Sequence, residues 1–112
     1  MRKEPKIFLE HILESIEKIE EYTQNVSRIQ FLEDPKLQDA VIRKLEVIGE
    51  ATKNLPYSFR KQHKNIDWKE AAGMRDVLIH QYFGVDLEIV WKAVHKNIPE
   101  LKGKILALFS NA

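Results

Sequence analysis

A chain of 112 residues with 44% hydrophobic and 31% charged side chains is sized for one core, so a single domain over 1–112 is expected. Its 18 basic and 17 acidic side chains leave a net charge of +1, so no global field draws it to nucleic acid and any such binding needs a local patch. The absence of cysteine excludes disulfides, thiolate zinc sites and cysteine nucleophiles. The opening Met1-Arg2-Lys3-Glu4-Pro5 leads into a charge-rich segment, and no apolar run approaches membrane-spanning length. A soluble cytoplasmic protein without a membrane role is expected.

Phe8, Ile12, Ile16, Ile19, Tyr22 or Thr23, Val26 and Ile29 step by threes and fours between glutamates and lysines. This spacing predicts one amphipathic helix over 6–30. Asp34-Pro35 supplies an N-cap followed by a proline at the first helical position, where its missing N–H costs nothing. A second helix then runs through Leu37, Val41, Leu45, Ile48 and Thr52 to about Leu55, before Pro56. Gly49 in its middle costs up to about 1 kcal/mol against alanine, which points to close approach by another helix. Glu50 and Lys53 either line that approach or face solvent.

Residues 56–66 read as a connection with room for one short helical turn. Asp67-Trp68-Lys69-Glu70 has the form of a capping box, with Ile66 placed to staple against Ala71, and opens a third principal helix. Gly84 is placed to end it. Asp86 caps a fourth helix burying Leu87, Val90, Trp91 and Val94, and Asn97 with Pro99 marks a break before a last helix carrying Leu101, Ile105, Leu108 and Phe109. Trp68 and Trp91 both read as core. No stretch alternates with period two, so the fold class is all-α, an antiparallel bundle of four to five helices joined by short connections.

The third helix carries Met74-Arg75-Asp76-Val77-Leu78-Ile79-His80-Gln81-Tyr82. Histidine has the unperturbed pKa nearest neutrality, so His80 is suited to exchange a proton near neutral pH. Arg75 keeps its charge and offers a planar fork that matches two phosphate oxygens. Five residues of regular helix separate Arg75 from His80 by about 140°, whereas Arg75 and Tyr82 share nearly one line. Either the helix loosens near His80, as Gly84 would allow, or two copies of the chain complete the site. Asp76 lies four residues before His80, on the same face, where it either orients the imidazole or forms an ordinary surface ion pair. Basic candidates for a local nucleic-acid patch are Arg60-Lys61-Gln62-His63-Lys64 and the series Lys92, Lys96, Lys102 and Lys104. His11, His63 and His95 have no partner at ligand spacing, so neither a metal nor another cofactor is expected.

The Arg-x4-His-x-Tyr segment resembles the signature of HEPN-domain ribonucleases. Arg43-Lys44-Leu45-Glu46-Val47-Ile48-Gly49-Glu50-Ala51-Thr52-Lys53-Asn54-Leu55 resembles the second helix of the HepT-like branch. Trp68-Lys69, Ala72-Gly73-Met74-Arg75-Asp76, His80-Gln81-Tyr82 and Val85-Asp86 resemble its central block, in the same order. The resemblance implies a homodimeric, metal-independent endoribonuclease toxin whose Arg75 and His80 cleave RNA. It further implies an MNT-type (minimal nucleotidyltransferase) antitoxin that transfers AMP to Tyr82. Asp76 stands where such sequences often carry asparagine. A different reading is a noncatalytic helical partner, or a nucleotide-binding subunit, of a nucleotidyltransferase. A third is a dimerising bundle without chemistry.

Overall fold

The computed structural model describes the backbone of residues 4–80 and 86–110, and the side chains of all of these except 75–80. The described residues form seven α-helices and one π turn, with no strand among them: α1 (Pro5–Thr23), α2 (Arg28–Leu32), α3 (Pro35–Asn54), α4 (Tyr57–Gln62), α5 (Trp68–His80), α6 (Leu87–Lys92), the π turn Ala93–Asn97, and α7 (Ile98–Ser110).

Helix α3 packs against both α1 and α5, while α7 lies on α1 and α2 joins α3 to α6. The core follows the periodic residues. Leu9, Ile12, Ile16 and Ile19 of α1 meet Val41, Leu45 and Ile48 of α3, and Trp68, Val90, Ile98, Leu101 and Ile105 close the other sides. Each fully buried aliphatic side chain contributes roughly 1.5–3 kcal/mol against its exposed state, an upper estimate because unfolded chains already bury some surface. Gly49 is buried on α3, the helix that packs against both α1 and α5. Glu50 and Lys53 occupy exposed positions beside it.

Two helix boundaries differ from expectation. The first predicted helix is two: α1 stops at Thr23, Asn25 turns the chain with φ 60°, and Ser27 starts α2. Asparagine tolerates this left-handed conformation better than other side-chain-bearing residues. Ser27 Oγ accepts from Gln30 N–H at 3.1 Å, and Ser27 N–H donates to Gln30 Oε1 at 2.8 Å, a complete capping box. In consequence Ile29, expected inside, is 63% exposed, and Phe31 is the fully buried residue of this segment.

The break expected at Asn97 and Pro99 is absent. The chain is helical without interruption from Leu87 to Ser110, through the π turn. Pro99 has no N–H to donate, and its ring would crowd the carbonyl four residues earlier in a regular helix. The wider π turn, with Ile98 N–H bonding to Ala93 O, lies immediately upstream and absorbs the misfit.

The other caps form where their residues indicate. Asp34 Oδ1 accepts from Leu37 N–H at 3.2 Å, and Asp86 Oδ1 from Glu88 N–H at 2.9 Å. The connection at 56–66 contains the single short helix α4, whose Phe59 stacks on His63 and reaches Trp68 at 6.1 Å between ring centres. No helix of the described residues is long and apolar enough to cross a membrane.

Candidate active site on the fifth helix

Helix α5 begins as the sequence indicates, with Asp67 Oδ1 accepting from Glu70 N–H at 2.9 Å and both Ile66 and Ala71 buried. The second half of the capping box is replaced by a tertiary contact: Glu70 Oε1 accepts from Asn97 Nδ2 at 2.7 Å. Trp68 is anchored by an indole N–H donating to the His63 carbonyl at 2.9 Å.

The backbone is helical through His80, so positions 75, 76 and 80 sit on one continuous helix. At about 100° per residue, position 75 falls on the line of Trp68 and Ala71, the side of α5 that faces the core. Positions 76 and 80 fall on the line of Lys69 and Gly73, about 100–140° away from position 75. Positions 75 and 80 thus share one helical backbone and are separated by about 140° around it. The side chains of Arg75, Asp76 and His80 lie outside the described residues, as do Tyr82 and Gly84 entirely, so any loosening beyond His80 also falls there.

Beside the Gly73 line, between α5 and the run from α6 through the π turn, opens a groove of about 470 Å³. Leu45, Met74, Ile89 and Val90 give it an apolar floor, Lys92 and Lys96 edge it, and the Glu70–Asn97 pair closes one side. A methyl group built on Gly73 would meet nothing within 4 Å. The groove was not evident in the sequence. Its one local signal is Gly73, a glycine inside a helix without a turn to require it.

Of the basic candidates, the lysine series does not act as one patch. Lys102 is held by Glu20 of α1 at 2.8 Å, Lys104 lies beside the first turns of α5 with Glu70 and Glu100, and Lys92 and Lys96 flank a separate groove on α5. Arg28 and Glu88 form a two-pronged ion pair between α2 and α6, which raises the arginine pKa above its ordinary value, first through the hydrogen bonds and then through the charge. In the cluster at α4, His63 is stacked on Phe59 with 4.5 Å between ring centres. His95 lies on Trp91, 3.9 Å between ring centres, and its Nδ1 is 2.9 Å from the Trp91 carbonyl. A carbonyl only accepts, so Nδ1 carries the proton in this contact, which lies at the exposed surface. Among the described residues no three histidine, aspartate or glutamate side chains gather in a way that could hold a metal ion.

The model of the HepT-like ribonucleases, described as "Ribonuclease HepT-like", matches residues 12–108. The chain is 57% identical over 108 residues to a "gamma-glutamylcyclotransferase and putative RNase" of Methanocaldococcus jannaschii, covering 96% of this chain and 49% of that protein; it thus spans about half the length of this relative. It is 54% identical over 104 residues to a "probable ribonuclease HepT" of Thermococcus cleftensis, covering 93% of this chain and 94% of that one. A "putative RNase" of Caldanaerobacter subterraneus is 50% identical over 103 residues, with 92% of each chain covered. No solved structure matches the chain. The match takes in α3, α5 and the whole Arg75-to-Tyr82 segment, and the protein belongs to the HepT-like HEPN ribonuclease family.

Proposed function

We propose that this protein is a metal-independent endoribonuclease, the toxin of a HEPN/MNT-type toxin–antitoxin pair, working as a homodimer. The observation that carries this reading is the family match over 12–108, which includes Arg75 and His80 on an unbroken helix. One imidazole takes the proton from the 2′-hydroxyl, whose oxygen attacks the adjacent phosphorus. The bond to the 5′-oxygen breaks, that oxygen leaves with a proton, and a 2′,3′-cyclic phosphate remains. Arg75 holds the nonbridging oxygens as charge builds on them. The separation of positions 75 and 80 around α5 supports a site completed by two copies, which brings two guanidiniums and two imidazoles to one phosphate, enough for a base and an acid.

Tyr82 is the site at which an MNT-type nucleotidyltransferase silences the toxin. Its phenolic oxygen attacks the α-phosphorus of ATP, pyrophosphate leaves, the phenolic proton is lost, and a tyrosyl-AMP ester forms. The added phosphate competes with RNA for the charge of Arg75.

The test is cleavage of labelled RNA in chelator, with the ends of the products identified. Activity only with added Mg²⁺, or a His80→Ala protein that cuts like wild type, refutes the mechanism. A monomer by light scattering at micromolar concentration refutes the shared site. Intact mass after incubation with the nucleotidyltransferase and ATP tests the modification: an AMP-sized gain must appear in wild type and vanish in Tyr82→Phe. The near-neutral charge and Asp76 favour a second reading, a noncatalytic partner of the nucleotidyltransferase, which predicts complex formation without RNA cleavage.

A further inference from the structure

The groove beside α5 has the features of a subsite for one nucleotide. Its volume of about 470 Å³ is in the range of small-ligand pockets. The floor is apolar, as a base face requires, and includes Ile89, left 50% exposed by its own chain. The edge is polar: Asn97 and Glu70 present an amide and a carboxylate with hydrogen-bonding capacity beyond the bond they share. Lys92 and Lys96, four residues apart across the π turn, put two cations on the rim, the charge complement of a phosphate strand rather than of a closely packed apolar helix. Position 80 follows Gly73 along the backbone of α5 at a rise of about 10 Å.

We infer that the groove between α5 and the α6–π turn receives one base of the RNA strand, laid on Met74 and Ile89, while Lys92 and Lys96 hold the phosphates beside it. This rests on RNA being the substrate, and the tests separate the two.

Gly73→Leu fills the groove from a helical position that has open space around it. Binding of RNA oligonucleotides carrying one abasic nucleotide at successive positions is measured by anisotropy, alongside cleavage. In wild type, one position weakens binding about tenfold when its base is missing. The Gly73→Leu protein shows that loss with intact RNA and little further loss with the abasic strand. Lys92→Ala/Lys96→Ala lowers the slope of log affinity against log salt by about 1.4, as two lost single-strand phosphate contacts require. Losses that multiply independently, or a Gly73→Leu protein that stays helical and binds intact RNA like wild type, overturn the assignment. So does a Gly73→Leu protein that falls from dimer to monomer, which would give the groove to a second copy. RNA bound base-dependently yet never cut refutes the nuclease reading alone, and RNA cut without base dependence refutes the groove alone. A protein that binds no RNA refutes both.

Discussion

Asn97 Nδ2 donates to Glu70 Oε1 at 2.7 Å, tying the π turn to the first turn of α5 across 27 residues of chain. The two elements flank the groove, so their separation sets its width. A double-mutant cycle of Glu70→Ala and Asn97→Ala in urea unfolding is expected to show a coupling of about 1 kcal/mol, the usual worth of such a bond near the surface. Strict additivity would mean that the contact contributes nothing to the fold.

Gly73 lies inside a helix with open space where a side chain would begin. Gly73→Ala is therefore expected to raise stability by about 0.5–1 kcal/mol, read as a higher midpoint in thermal or denaturant unfolding. A lower midpoint would show that another molecule approaches this glycine closely.

The boundary between α1 and α2 makes opposite forecasts for two apolar residues. Phe31→Ala is expected to cost about 3–5 kcal/mol, because the ring is fully buried and packed on Trp91. Ile29→Ala should stay within about 0.5 kcal/mol of wild type, because this side chain is mostly in solvent. Equal costs would restore the single long helix.

At the turn itself, Asn25→Ala is expected to lose about 1 kcal/mol, while Asn25→Gly holds or gains, since φ 60° strains a β-carbon and not a glycine. Urea midpoints of the two variants check this, and a more stable alanine variant would contradict it.

On activity, Arg75→Ala and His80→Ala are each expected to lose about 10²- to 10⁴-fold in kcat while keeping wild-type helicity by circular dichroism. Asp76→Asn separates the two roles of that residue. If the carboxylate orients the His80 imidazole and favours its protonated form, the variant shifts the pH–rate profile to lower pH. An unmoved profile makes Asp76 a surface group.

The long helices and their buried faces could be read from the chain because burial imposes the 3.6-residue period directly: Ile12, Ile16 and Ile19, then Val41, Leu45 and Ile48, are inside as spaced. The caps at Asp34, Asp67 and Asp86 were legible for the same local reason, a short side chain reaching its own helix's free N–H groups. Ser27-x-x-Gln30 carried an equally local signal, but the apolar residues at Val26 and Ile29 prolonged the period of α1 past its end. Tertiary structure alone decided the rest. Glu70 could complete its own capping box or reach Asn97, and only the placement of the π turn against α5 selects the second. Lys102 and Lys96 look alike along the chain, yet one meets Glu20 and the other edges a groove, because neighbours distant in sequence set the field around each charge.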